Sequence, residues 1–237
     1  MSTFVLVHGL GAGGWIWKGI RQKLSKLGHE VFTPTLTGLG ERSHLATREV
    51  NLATHILDVR NTMKWENLHE VVLVGHSYGG AVVTGVADQE ATRIKKLIYL
   101  DAFILPHGKS VMDLQPVNRR KYYESRVKNE GDGWLLHPNS AEFYGISDKQ
   151  DQKLIDEYSR PQPFATLTQP IELQYGDKPP FPRAYIRASS FSPSPFTTFA
   201  AMASKDPDWE YHEIPAGHML MFSHTNELGN LLHEIAT

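Results

Sequence analysis

A serine between glycines stands at the end of an apolar run. Val71-Val72-Leu73-Val74 leads straight into Gly75-His76-Ser77-Tyr78-Gly79-Gly80. The pattern predicts a buried strand that delivers Ser77 at a sharp turn, with a helix leaving from about Tyr78. Side chains at positions 75 and 79 would clash with the adjacent strand and helix, so glycine stands at both. The first amides of that helix point at the space beside Ser77, where negative charge would develop during attack on a carbonyl. This is nucleophile chemistry, in contrast to a bare tight turn.

A serine hydroxyl attacks only when a base takes its proton and a third group orients the base. Among twelve histidines, His218 is placed best, in Pro215-Ala216-Gly217-His218-Met219-Leu220. It follows the last expected strand, at the carboxyl edge of the sheet where Ser77 also emerges, and Gly217 gives its loop room to turn. The loop after the penultimate strand, Ser189-Ser190-Phe191-Ser192-Pro193-Ser194, holds no carboxylate. Asp101 ends the strand after the nucleophile's helix and is the expected acid. Asp206 and Asp208, near the start of the last strand, and a serine–histidine pair without a close acid stay open as alternatives. His8-Gly9-Leu10-Gly11 reads as an oxyanion loop, ordered by His8 and donating the Leu10 amide. The other histidines read as solvated or structural, and no ligand spacing suggests a metal site.

The elements that must hold these groups alternate. Expected strands cover 3–8, 30–33, 71–76, 95–101, 183–188 and 209–214, with helices over 15–27, 51–64, 78–91, 195–204 and 225–235 and a loop over 37–44. Near-continuous apolar strands separated by helices predict an α/β fold with a parallel sheet covered on both faces. The glycine-rich turn at 9–14 imitates a dinucleotide loop, but its register is wrong and no acidic residue ends the next strand. The rhythm breaks over 106–182, which is aromatic and proline-punctuated, with short helical patterns near 110–128, 140–145 and 148–158. That segment reads as a cap inserted into a core formed by 1–105 and 183–237.

Composition narrows the partners. The chain has 237 residues, a formal charge of −2 and no cysteine. Disulfides, thiolate metal sites and cysteine nucleophiles are excluded, and no basic run offers a grip on nucleic acid or an anionic membrane. No stretch approaches the ~20 apolar residues of a membrane span, and no secretory leader is read at the N-terminus. A soluble cytoplasmic protein is expected, with a homodimer allowed.

The chain resembles the α/β-hydrolase fold superfamily, and within it the small esterase and hydroxynitrile lyase branch and its bacterial relatives. The matching residues are Phe4-Val5-Leu6-Val7-His8-Gly9, Gly14-Trp15-Ile16-Trp17, the elbow at 75–80, Tyr99-Leu100-Asp101-Ala102-Phe103 and Gly217-His218. The resemblance implies Ser77 as nucleophile, His218 as base, and the amides of Leu10 and Tyr78 as oxyanion donors. Placing the acid at Asp101 departs from the plant pattern but matches other superfamily members. Cyanohydrin cleavage uses a threonine in the oxyanion loop and a lysine after the histidine, where Gly9 and Met219 stand here. A serine in place of an aspartate nucleophile argues against dehalogenation. The expectation is cofactor-free hydrolysis of small carboxylic esters through an acyl-enzyme, with Gly9 and Trp134 as substrate contacts. Hydrolysis of a lactone or carbon–carbon bond, and a receptor-like ligand-binding relative, are the rival readings.

Overall fold

The computed structural model describes residues 1–174 and 179–237. Along the chain, β1 (Thr3–Val7), α1 (Lys18–Lys26), β2 (Glu30–Phe32), α2 (Leu52–Trp65), β3 (Val71–His76), α3 (Gly79–Gln89) and β4 (Ile94–Leu100) alternate. Then come α4 (Val117–Glu130), β5 (Leu135–Leu136), α5 (Lys149–Tyr158), β6 (Gln162–Pro163) and α6 (Ala165–Thr168). The chain closes with β7 (Arg183–Ala188), α7 (Thr197–Ala203), β8 (Trp209–Ile214), α8 (Leu220–Ser223) and α9 (Thr225–Ala236).

Six strands form one parallel sheet in the order β2-β1-β3-β4-β7-β8. Strand side chains alternate between faces, and here both faces are apolar. Phe4, Leu6, Val72, Val74, Ile98, Leu100 and Ile186 pack one way, onto Ile20 and Leu24 of α1 and Leu228 and Leu232 of α9. Val5, Val7, Leu73, Leu97, Tyr99 and Tyr185 pack the other way, onto Ile56 and Val59 of α2 and Val82, Val83 and Val86 of α3. The strand order turns back between β1 and β3, so the loops leaving these neighbours open a crevice at their carboxyl ends.

Helix ends follow local chemistry. Asn51 caps α2 through a reciprocal pair: its side chain accepts the Thr54 amide at 3.1 Å, and Thr54 Oγ1 accepts the Asn51 amide. Gly28, at φ +84°, turns the chain out of α1. Several expectations needed correction. Residues 37–44 are not all loop: a 3-10 helix covers Gly40–Leu45. The pattern near 110–128 becomes helix only at Val117, because Ser110 and Asp113 tie the preceding residues into a turn. Residues 140–145 are turns rather than helix. The short antiparallel pair β5–β6, and α6 and α8, are too brief for a periodic signal.

Between β4 and β7 the chain leaves the sheet and lies against both cores. Val111, Met112, Leu136 and Leu167 join one core, and Ala141, Ile146 and Ile155 join the other. Residues 175–178 of the expected cap lie outside the described residues. Among the described residues, no helix is long and apolar enough to cross a membrane.

Candidate active site

Ser77 follows β3 with φ +56°, in the left-handed region that a non-glycine residue rarely adopts. Three backbone contacts fix it there. Its amide donates to the Leu100 carbonyl at 3.3 Å, and its carbonyl accepts the amides of Gly80 at 3.1 Å and Phe103 at 3.2 Å. The glycines make room for this crossing. A Cβ on Gly75 would stand 2.6 Å from the Gly79 carbonyl oxygen, and one on Gly79 would stand 2.7 Å from the carbonyl oxygens of Val7 and His8. Gly80 is equally constrained: its Cβ would fall 2.2 Å from the Phe103 carbonyl oxygen, a contact with the chain beyond β4 that its sequence neighbourhood does not reveal.

His218 and Asp101 meet from loops after β8 and β4. His218 Nδ1 donates to Asp101 Oδ2 at 2.6 Å, and both side chains are almost fully buried. This leaves Nε2 without a hydrogen-bond partner among the described residues, and His218 lines the same cavity as Ser77. No hydrogen bond joins Ser77 Oγ to the imidazole among the described residues; catalytic hydrogen bonds of this kind commonly tighten in the substrate complex. Asp101 is itself left-handed, at φ +42°, and is held by its amide on the Ile186 carbonyl at 2.7 Å and by Ala188 donating to Oδ1 at 3.4 Å. Asp206 and Asp208 lie before β8, at the opposite end of the strand from His218, and Asp208 is exposed.

The imidazole is set among rings. Phe191 and Phe196 stack on it at centroid distances of 4.9 and 5.0 Å. Its amide donates to the Tyr144 carbonyl at 3.0 Å, and its carbonyl accepts His76 Nε2–H at 3.0 Å. Burial pushes His76 well below the ordinary imidazole range, so it is a neutral brace for the His218 backbone. Gly217 was expected to ease a turn. Its actual constraint is the close passage of residues 144 and 145, whose carbonyl oxygens would each be 3.0 Å from a Cβ.

Leu10 and Tyr78 line the same cavity, and neither backbone N–H has a protein acceptor among the described residues. Gly9 abuts the serine, since a Cβ there would be 2.9 Å from Ser77 Cβ. The loop is clamped from two sides. Below, the Leu36 amide donates to His8 Nε2 at 3.1 Å, which leaves Nδ1–H to donate to the Gly9 carbonyl at 2.9 Å. Burial lowers His8 to about 4, so this tautomer persists at neutral pH. Above, the Gly11 amide donates to Gln162 Oε1 at 3.0 Å, and the Arg160 amide donates to the Gly11 carbonyl at 2.8 Å. Tyr78 is fixed similarly: its hydroxyl donates to His55 Nδ1 at 2.9 Å, while His55 Nε2–H donates to the Thr37 carbonyl. His55 is therefore buried and bonded, not solvated.

Trp134 is not brought to this cavity. The guanidinium of Arg48 lies over its ring at 5.4 Å, and its carbonyl accepts the Phe164 amide, so it packs elsewhere in the cap segment. The residues that do line the cavity, and were not anticipated, include Phe103, Gln115, Phe191 and Phe196. Phe191 and Phe196 stand in the aromatic, serine-rich stretch after β7, whose rings are the signal for an apolar wall there. Gln115 carried no signal. A larger cavity of about 290 Å³ between α3, α7 and β8 touches none of the three chemical groups, so size does not identify the site.

The alpha/beta hydrolase family model matches residues 4–228. A carbendazim hydrolyzing esterase of a Nocardioides species is 41% identical over 98% of each chain. Methylesterase 10 of Arabidopsis thaliana is 30% identical over 100% of this chain and 92% of its own length. Some other plant methylesterases are longer, and this chain spans 56% of their length. The solved structure of an extracellular alpha/beta-hydrolase from a Paenibacillus species has the same fold, with a TM-score of 0.88 at 23% identity, covering 99% of this chain and 98% of that one.

Proposed function

The chain belongs to the alpha/beta hydrolase family, and from that premise we propose that it is a serine esterase working through an acyl-enzyme. Ser77 Oγ attacks the ester carbonyl while His218 Nε2 takes its proton. The tetrahedral oxyanion sits against the Leu10 and Tyr78 amides, each such donor contributing ~3 kcal/mol to a transition state of this kind. His218 returns the proton to the leaving alcohol, and Asp101 stabilises the imidazolium and fixes its tautomer. Water then attacks the acyl-enzyme with His218 again as base. The observation that carries this reading is the buried His218–Asp101 bond beside a left-handed Ser77.

The substrates are small esters held under a cap formed by 106–182, with the rings of Phe191 and Phe196 as an apolar wall. The names of the methylesterase relatives point the first trials to methyl esters. We extend the reading to a cytoplasmic location, supported by the cysteine-free composition, and to a homodimer, which light scattering would check. The test of function is an aryl-ester series with wild type and Ser77→Ala, joined to mass spectrometry of the trapped acyl-enzyme. Turnover with the acyl group on Ser77 is expected. No turnover by wild type, or undiminished turnover by Ser77→Ala, overturns the proposal.

A further inference from the structure

The backbone of His218 is held from two sides. Its carbonyl accepts His76 Nε2–H from the end of β3, and its amide donates to the Tyr144 carbonyl at 3.0 Å. The second hold belongs to the segment between β4 and β7, remote from β8 in the chain. His218 is 2% exposed, so an amide released from Tyr144 would meet neither bulk water nor another acceptor. Beside this bond the two stretches touch backbone to backbone. A Cβ on Gly145, whose φ is +84°, would stand 3.1 Å from Gly217 Cα, and one on Gly217 would stand 3.0 Å from the carbonyl oxygens of Tyr144 and Gly145. So close a contact passes displacement on: where residues 144 and 145 go, the histidine's backbone follows.

The turn that carries Tyr144 is internally braced. The Ala141 carbonyl accepts the amides of Tyr144 at 3.1 Å and Ile146 at 3.2 Å, and the Gly145 amide donates to the Glu142 carbonyl at 3.0 Å. These bonds fix its shape but not its place. Its place is set by α5, at both ends of the turn. The Ala141 amide donates to Asp156 Oδ1 at 2.8 Å, and Gln152 Nε2 donates to the Ile146 carbonyl at 2.6 Å. Gln152, Ile155 and Asp156 share one helix face by their spacing of three and four. Ile155 is 2% exposed and belongs to the same apolar core as Ala141, Ile146 and Met219. Neither Gln152 nor Asp156 lines the cavity of Ser77, and Asp156 is exposed.

We infer that Asp156 and Gln152 are positioning residues for His218. By pinning the turn 141–146 they hold the Tyr144 carbonyl where it seats the histidine's backbone, and through the backbone they hold the imidazole against Asp101. The segment between β4 and β7 is then more than a wall of the cavity, because it sets the base. A misplacement of about 1 Å at a reacting group can cost about 100-fold in rate, so a remote pin matters to the chemistry. The inference rests on the esterase reading for the role of His218, but the seating itself can be read without a substrate.

The test uses protein with isotope-labelled histidines and the downfield NMR signal of His218 Nδ1–H in its 2.6 Å bond to Asp101, identified by its loss in Asp101→Asn. In Asp156→Ala and in Gln152→Ala this signal is expected to move upfield or broaden, and kcat on an aryl ester to fall about five- to tenfold. Asp156→Asn keeps an acceptor for the Ala141 amide and is expected to keep the wild-type signal and rate. A role confined to stability would lower the melting midpoint and leave the signal of the folded protein in place. An unmoved signal in both alanine variants overturns the inference, whatever the esters show. So does an Asp156→Asn signal displaced as far as that of Asp156→Ala. Should wild type turn over no ester, the esterase reading falls, and the signal still decides whether these two residues seat the histidine.

Discussion

Asp101 and His218 are 117 residues apart in the chain and 2.6 Å apart in the fold, joined by a hydrogen bond that solvent does not reach. The carboxylate makes Nδ1 the protonated nitrogen and so keeps Nε2 unprotonated. An asparagine tolerates the left-handed backbone of position 101. Its amide would, however, donate to Nδ1 and move the imidazole proton to Nε2, the wrong tautomer for a base. Asp101→Asn is expected to lower kcat on an aryl ester by about 10³–10⁴-fold. Thermal melting of the same sample checks that the loss is chemical: its midpoint should stay within a few degrees of wild type.

Gln162 ties the segment between β4 and β7 to the loop after β1, the proposed oxyanion loop. Its Oε1 accepts the Gly11 amide, and its Nε2 donates to Thr166 Oγ1 at 2.8 Å. In Gln162→Leu the buried Gly11 N–H loses its acceptor, at a cost of about 1–3 kcal/mol of stability. The Leu10 amide, one residue away, loses its fixed aim. Because an oxyanion donor acts mainly in the transition state, kcat should fall about tenfold with KM nearly unchanged. Steady-state kinetics alongside urea unfolding would read both effects.

Two glycines make a contrasting pair. A Cβ on Gly9 meets Ser77 Cβ at 2.9 Å and His76 Nδ1 at 3.1 Å, so Gly9→Ala must displace Ser77, the proposed nucleophile. A loss of about 100-fold in kcat is expected, larger than any accompanying loss of stability. Gly28, at φ +84°, has nothing within 4 Å of its Cβ position and lies outside the active-site cavity. Gly28→Ala should cost about 1–2 kcal/mol for the left-handed backbone and leave kcat unaltered. Equal activity losses in the two variants would count against the steric account.

Burial holds both His8 and His55 at about 4, below the ordinary value of 6.5. Both are therefore neutral in the folded protein and take up protons on unfolding as pH falls below 6.5. The unfolded state then binds more protons, so stability falls with acidification between about 6.5 and 4, by about 1.4 kcal/mol per pH unit for each group. Urea unfolding at pH 7, 6 and 5 should show this slope. His55→Gln, whose amide can still accept from Tyr78 and donate to Thr37, should remove one proton's share of it.

The local sequence carried the frame. Strands show in the sequence as short near-continuous apolar runs and helices through a period of 3.6, because a parallel strand is buried on both faces and a helix packed on it on one. Ser77 was legible for the same reason: a strand, a glycine-flanked turn and a helix are consecutive in the chain. Asp101 and His218 could be placed at one sheet edge from strand order, but only the fold brought Nδ1 to Oδ2 and left Asp206 and Asp208 at the far end. Of the braces, only His8 is legible in the sequence, as the residue that orders its own loop, and its Leu36 partner is not. His55, His76 and Gln162 each bond to a backbone or side chain remote in the chain, and no spacing encodes such a pairing. The cap segment gave the least away, since its elements are short and are fixed by how they dock. Trp134 was expected at the pocket for its aromatic bulk and packs beneath Arg48 instead, while Gln115, unremarkable in the chain, stands at the cavity wall. Periodic contacts follow from neighbouring residues, whereas aperiodic ones are decided only when the whole chain has closed.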